Sequence, residues 1–266
     1  MGERLLGKVA IVVGGGQTPG ETIGNGRATA VLFAREGARV LVVDRDEHAA
    51  AQTVAQIRAE GGEAVAHVAD VTDPSSVATI PATALAAYGD FSIVHHNVGI
   101  GTGDGAATSL SEEVWDHILE VNLTGAWRTA KAVVPHLRAR GGGSIVTISS
   151  IASICSTTTA AYQVSKAGLN TLTQHLAMGN ARYGIRVNAV LPGLMDTPMA
   201  ILGISAARGI SAEQLRSERN AAVPLGRQMG SAWDVAWASV FLASDEARFV
   251  TGVLLPVDGG QSIRRG

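Results

Sequence analysis

Short runs of aliphatic and β-branched residues recur along the chain at intervals that leave room for a helix between them. The first reads Val9-Ala10-Ile11-Val12-Val13 and the second Arg39-Val40-Leu41-Val42-Val43, separated by an Ala-rich stretch that reaches about Glu36. Strand, helix and parallel strand are the expected elements. The alternation continues with runs at 64–68, 91–94, 144–148, 185–190 and 253–257. These runs are apolar at nearly every position instead of every second one, which is the pattern of strands buried on both faces. Seven such strands predict an α/β fold: a doubly wound parallel seven-stranded sheet of the Rossmann type, in three layers of helix, sheet and helix. Residues 1–266 read as a single domain without repeat or linker. Only 198–230, between the sixth strand and the last helix, break the rhythm, and they are expected to form a substrate lid.

Composition narrows the function. The chain has 266 residues, 46% of them hydrophobic, enough for one substantial core. Its formal charge of −2 and its lack of any Lys/Arg block argue against a nucleic-acid partner. One cysteine, Cys155, excludes an internal disulfide framework and a cysteine zinc cluster. The histidines lack ligand spacing, so no metal is expected, and adjacent His95 and His96 read as structural because neighbours on a strand face opposite ways. No run is long and apolar enough for a signal peptide or a membrane span. A soluble, cytoplasmic protein with no membrane partner is the expectation.

Candidate chemistry gathers where strands end. After the first strand come Gly14-Gly15-Gly16-Gln17 and, later, Ile23-Gly24-Asn25-Gly26, followed by a helical pattern. Glycines there let backbone N–H groups approach a pyrophosphate, and the helix N-terminus adds a favourable dipole. The second strand ends in Asp44, whose carboxylate can accept both hydroxyls of an adenosine ribose and would repel a 2′-phosphate. NAD is therefore favoured over NADP, with Arg45 able to soften that exclusion. Asp70-Val71 and Asn97-Val98-Gly99 follow the third and fourth strands, where open α/β sheets bind ligands. Tyr162 and Lys166, four apart, share one face of a helix, so an ammonium can sit beside a phenol and favour phenolate. That pair suits general acid–base chemistry at an alcohol carbon.

Taken in order, these motifs resemble the short-chain dehydrogenase/reductase family, single-domain type, over nearly the full chain. The resemblance also rests on Val121-Asn122-Leu123-Thr124-Gly125, Ile148-Ser149-Ser150 and Arg186-Val187-Asn188-Ala189-Val190-Leu191-Pro192-Gly193, with His96-Asn97-Val98-Gly99 in place of the usual Asn-Asn-Ala-Gly. It implies an NAD(P)-dependent oxidoreductase, a homotetramer, and a tetrad of Asn122, Ser150, Tyr162 and Lys166. By the same analogy Tyr162 exchanges the proton, Lys166 lowers its pKa and reaches the nicotinamide ribose, Ser150 fixes the substrate oxygen, and Asn122 holds a water. Pro192, Gly193 and Thr197 resemble the segment that grips the carboxamide; the plainer role for Thr197 is a helix N-cap before Pro198.

Two departures stand out. Ten positions separate Gly14 from Gly24, about six more than the family pattern, so Gln17-Thr18-Pro19-Gly20-Glu21-Thr22 is an insertion. Gln17 and Thr22 either hydrogen-bond the cofactor or cap the turn. The family's serine-to-tyrosine spacing points to Ser149, whereas the local pattern Ile-Ser-Ser-x-Ala points to Ser150, which is preferred here. In the lid, Met195, Met199, Ile201, Leu202 and Ile204 suggest an apolar, cyclic secondary alcohol or ketone as the small-molecule substrate, while Arg208, Arg216 and Arg219 either meet a carboxylate or are solvated. The alternatives are an NADP-dependent 3-oxoacyl-thioester reductase and a non-catalytic dinucleotide-binding module.

Overall fold

A computed structural model describes residues 2–155 and 157–263. The first half runs β1 (Val9–Val13), α1 (Asn25–Arg35), β2 (Arg39–Asp44), α2 (Glu47–Ala59), β3 (Ala64–Val68), α3 (Pro74–Tyr88) and β4 (Ile93–His96). There follow α4 (Glu112–Leu119), α5 (Gly125–Ala139), β5 (Gly143–Ile148), α6 (Ala160–Asn180) and β6 (Ile185–Pro192). The chain closes with β7 (Met195–Asp196), α7 (Pro198–Arg208), α8 (Ala212–Ala222), β8 (Gly230–Ser231), α9 (Ala232–Ala243) and β9 (Leu254–Val257).

Seven strands form one parallel sheet in the order β3-β2-β1-β4-β5-β6-β9. Alternation along β1 shows how both faces are filled. Ala10 and Val12 join a cluster with residues of α1, α2 and α9, such as Phe33, Ile57 and Val240, on one side. Val9, Ile11 and Val13 join residues of α3 and α5, such as Ile80 and Val133, on the other. Helix ends follow local chemistry. Asp46 and Asp73 cap α2 and α3 by accepting backbone N–H groups, and Gly89 closes α3 in the left-handed conformation at φ 77°. From β1 the order runs outward in both directions, which places a switch point between β1 and β4, where open α/β sheets bind ligands.

Several boundaries differ from the sequence expectation. β4 lies at Ile93–His96, not at 91–94. His95 and His96 pair with β1 through Val12 and Val13 and with β5 through Val146 and Thr147, and burial pulls both pKa values down to about 3. Neutral imidazoles therefore serve as core residues. Phe91 instead sits beneath the strand, buried and stacked on His136 with ring centroids 4.2 Å apart. β9 starts at Leu254, not at 253, and the two-residue parallel pair β7–β8 has no counterpart among the expected strands. That pair joins the two ends of segment 198–230. Within it, Ile201, Leu215, Val223 and Met229 form a small cluster of their own. Among the described residues, no helix is long and apolar enough to cross a membrane.

Candidate active site

The nucleotide-binding features converge beyond β1. Gly14 has φ +76°, and a Cβ there would lie 2.9 Å from Val98 Cγ2 and 3.1 Å from Val98 N, so only glycine fits this crossing. Asn97 Nδ2 donates to Gly14 O at 3.1 Å, tying the β4 end to the loop. Gly24 is the extended residue before α1; its N–H donates to Gln17 Oε1 at 3.0 Å, while Gln17 Nε2 donates to Thr22 O at 3.3 Å. Of the two roles open to Gln17, the structure shows loop closure. Thr22 Oγ1, at the mouth of this helix, is buried and has no partner among the described residues. An orphaned hydroxyl beside a glycine cradle and a helix N-terminus suits an anionic pyrophosphate oxygen, so these residues fit a dinucleotide. Ile23 packs on the core beneath them.

Asp44 ends β2 with its carboxylate turned to the same loop. Oδ2 accepts from Gly16 N at 2.9 Å and Oδ1 from Asp46 N at 3.1 Å, which leaves acceptor capacity on both oxygens. Arg45 is exposed and its charge acts on Asp70. Asp70 is held below the usual carboxylate range, first by the Thr72 N–H at 2.8 Å, with burial opposing. Val71 is 5% exposed and presses on Gly125, so any contact it makes with a nucleotide falls to its backbone.

The chemical cluster lies at the ends of β4 and β5. Tyr162 and Lys166 face the same way from α6, with Lys166 Nζ 5.7 Å from the centroid of the phenol ring. Nζ donates to Ile148 O at 2.8 Å and rests against Gly99, where a Cβ would come within 2.8 Å of it. Burial lowers the pKa of Lys166 to about 8. It raises that of Tyr162, with the hydrogen bond to the Ser150 side chain acting the other way. This corrects the expectation that the neighbouring lysine sets a depressed phenol pKa. Desolvation of the ring dominates, and the phenol holds its proton at neutral pH.

The two serines have different surroundings. Ser150 faces Tyr162 and also caps a short turn by accepting from Ala152 N at 3.1 Å. Ser149 is 2% exposed and donates to Lys166 O at 3.1 Å, away from the phenol. Asn122 is fully buried in a π-type turn, Glu120–Thr124, between α4 and α5. Its Oδ1 accepts from Ile100 N at 2.7 Å, and its two amide protons go to Ile100 O at 2.9 Å and Ser165 Oγ at 3.0 Å. No side-chain proton is left for the water that the resemblance assigned to it. Ser165 donates in turn to Tyr162 O at 2.8 Å. The side chain thus braces the Gly99–Ile100 loop against α6.

One residue here escaped the sequence reading. Asp104 accepts from Tyr162 N at 2.7 Å and from Ala161 N at 3.2 Å, capping α6 from a loop 58 residues away in sequence. Thr159, next to the helix start, makes no side-chain capping bond. The only sequence signal for Asp104 was a carboxylate between two glycines, which is ordinary in any turn.

The proposed carboxamide end lies beyond β6. Pro192 closes that strand, and Gly193 N donates to Val257 O at 3.0 Å; a Cβ on Gly193 would sit 2.7 Å from Asp258 Cα. Thr197 occupies the N-cap position of α7 and is 5% exposed, yet its hydroxyl makes no capping bond. The apolar lid group does not form one pocket. Met195 and Ile201 are core residues, whereas Met199, Leu202 and Ile204 are 53%, 43% and 37% exposed. The inserted loop leans on α7 instead, since a Cβ on Gly20 would lie 2.8 Å from Pro198 Cβ and 3.2 Å from Leu202 Cδ1. Glu21 reaches Arg216 at 3.7 Å.

Comparison with known proteins places this arrangement. A family described as Enoyl-(Acyl carrier protein) reductase matches residues 21–262, beginning inside the insertion. The 2,5-dichloro-2,5-cyclohexadiene-1,4-diol dehydrogenase of Sphingobium indicum is 36% identical over 264 residues, covering 99% of each chain. The cis-4-hydroxycyclohexanecarboxylate dehydrogenase of Sinomonas cyclohexanicum is 37% identical over 262 residues, covering 98% of each. Carveol dehydrogenase from Mycobacterium avium, solved in complex with NAD, has a TM-score of 0.91 at 30% identity, covering 98% of this chain and 100% of that one. The chain belongs to the short-chain dehydrogenase/reductase family. It is an NAD(P)-dependent dehydrogenase that acts on CH–OH donors.

Proposed function

We propose that the chain interconverts a cyclic secondary alcohol and its ketone with NAD, using Ser150, Tyr162 and Lys166 as the reacting group and Asn122 as their brace. The observation that carries this reading is the gathering of the Ser150 side chain, the Tyr162 phenol and the buried Lys166 ammonium at the strand ends that also present Gly99. The dinucleotide, when bound, supplies the hydride acceptor or donor. Tyr162 gives its phenolic proton to the forming alkoxide in reduction and takes it back in oxidation. Ser150 Oγ–H donates to the same substrate oxygen, where charge develops. Lys166, fixed by Ile148 O, keeps a positive charge close to the phenol at neutral pH. Gly14, Ile23 and Gly24, in the loop that Gln17 closes, would hold the pyrophosphate side, Asp44 the ribose, Asp70, Val71, Asn97 and Gly99 the intervening wall, and Pro192, Gly193 and Thr197 the carboxamide.

The ring-bearing substrate is supported by relatives whose names specify six-membered ring alcohols. NAD is supported by the position of Asp44 and by the NAD complex of the structural relative. A homotetramer belongs to the same reading. The edge strand β9 is only partly covered, Phe249 is 99% exposed, and Trp127 on α5 and Val164 on α6 are 47% and 45% exposed. Light scattering after size exclusion checks the assembly, and a fully active monomer would exclude it. The activity is tested by following NADH formation with cyclohexanol, cis-4-hydroxycyclohexanecarboxylate and linear 2-alkanols. Turnover of ring alcohols with NAD is expected. Inactivity towards all of them, with NADPH-dependent reduction of a 3-oxoacyl thioester, would overturn the reading.

A further inference from the structure

The lid helices carry three arginines whose surroundings differ. Arg208 Nη1 pairs with Glu218 Oε2 at 2.8 Å. Arg216 Nε holds both carboxylate oxygens of Asp196, at 3.2 and 3.1 Å, and also approaches Glu21. Arg219 has no hydrogen-bond or ion-pair partner among the described residues. It is nevertheless only partly exposed. Leu215, four residues earlier on α8, is 2% exposed and belongs to the cluster with Ile201, Val223 and Met229, and Ala212, seven residues earlier, packs on the same cluster. Residues at this spacing share one helix face, so Arg219 stands on the inner stripe, not the solvated one. Leu194, the residue after Gly193, packs on that same cluster and accepts from Gly230 N at 3.1 Å. The inner stripe of α8 therefore rests on the chain that leaves β6 beside the proposed carboxamide segment.

Charge confirms the neighbourhood. Burial and the nearby Arg208 lower the pKa of Arg219, and the carboxylate of Asp196, adjacent to Thr197, acts in the opposite sense. Asp196 is held by Arg216 Nε and makes no hydrogen bond or ion pair with Arg219. A guanidinium taken from water without an anion is costly, and its planar fork of donors matches a carboxylate.

We propose that Arg219 is the anchor for a carboxylate carried by the substrate, so that the alcohol oxidised by this chain is an anionic ring compound. The proposal rests on the reading of the site as a cyclic-alcohol dehydrogenase, and it would make α8 a source of specificity as well as a cover. Arg216 and Arg208 are excluded from the role by their own carboxylates.

The test compares Arg219→Gln and Arg219→Lys with the parent, using cis-4-hydroxycyclohexanecarboxylate and its methyl ester in the presence of NAD. A charged hydrogen bond of this type corresponds to about ten- to a hundredfold. The ratio of kcat/KM for acid over ester should fall by that factor in Arg219→Gln, through KM, with partial recovery in Arg219→Lys. An unchanged ratio would overturn the proposal. So would an equal loss for both compounds together with weaker NAD binding, which would assign the guanidinium to the cofactor. Calorimetric binding of cyclohexanecarboxylate to the NAD-loaded protein needs no turnover and separates this proposal from the proposed activity. The parent should bind it at least tenfold more tightly than Arg219→Gln, and equal binding, or none by the parent, would refute the carboxylate anchor.

Discussion

Replacing Ser149 and Ser150 separately by alanine should divide stability from catalysis. Ser149 Oγ is buried and makes one internal bond, to the carbonyl of Lys166 at 3.1 Å. Its loss removes a buried hydrogen bond worth about 1–2 kcal/mol. At roughly 2–4 °C per kcal/mol for a chain of this size, Tm should fall by roughly 2–8 °C. The phenol keeps its Ser150 partner, so kcat/KM of the folded Ser149→Ala protein should stay within a few-fold of the parent. Ser150 sits differently. It gives up a short capping bond to Ala152 N in a partly exposed turn, worth about 1 kcal/mol at most. It also gives up the hydroxyl that stands beside the Tyr162 phenol and, in the proposed reaction, meets the substrate oxygen. A lost oxyanion donor typically lowers kcat by about 10²–10³. The assay is kcat/KM with a ring alcohol, measured beside thermal unfolding of each variant. A larger activity loss at Ser149, with Ser150→Ala nearly intact, would refute the assignment and show that Lys166 placement, not Tyr162 polarisation, limits the reaction.

Tyr162→Phe should lose about 10²–10⁴ of kcat while binding NAD normally by fluorescence titration, because only the proton-carrying hydroxyl goes; more than a tenth of parental activity would remove Tyr162 from the role. Asp44→Ala should bring the kcat/KM ratio for NAD over NADP, expected to exceed tenfold in the parent, close to one, and a parent that uses both cofactors equally would refute the ribose role. For Lys166, burial lowers the folded pKa to about 8 from an ordinary value of 10.5, so the folded state binds fewer protons than the unfolded state between those values. This group's contribution to stability therefore rises with pH across that window. Lys166→Met should accordingly compare best with the parent near pH 7 and lose ground as pH climbs from 8 to 10, and a Tm difference that is flat over this range would argue against a buried cation.

The parallel sheet was legible because strands covered on both faces need apolar residues at every position, and the runs at 9–13 and 40–43 supply them without interruption. β4 was misplaced for the converse reason. A polarity pattern counts His95 and His96 as ends, whereas both imidazoles are neutral and occupy core positions. The pairing of Tyr162 with Lys166 was legible in their spacing of one helical turn, whereas Asn122 and Ser150 joined them only through the family resemblance. The brace around them was not legible. Asp104 reaches α6 across 58 residues, and the Asn122–Ser165 bond spans 43. Nothing local marks either. In the lid, apolar content was visible but its direction was not; Ile201 turns inward on α7 while Met199 and Leu202 turn out.

The close approach of Gly20 to Pro198 and Leu202 ties the loop proposed for the pyrophosphate to the helix that follows the segment proposed for the carboxamide. A swing of α7 away from the sheet would draw on the inserted loop, and the hydrogen bond from Gly24 N–H to Gln17 Oε1 would carry that pull to the head of α1. Opening of the lid and loosening of the phosphate grip then become a single event with a single rate. In such an enzyme the ketone and the dinucleotide would leave through the same opening step, and release of NADH would set the pace of turnover. Shortening the loop by residues 17–22 should raise the NADH off-rate seen by stopped-flow fluorescence; an unchanged off-rate would show that the two ends move independently.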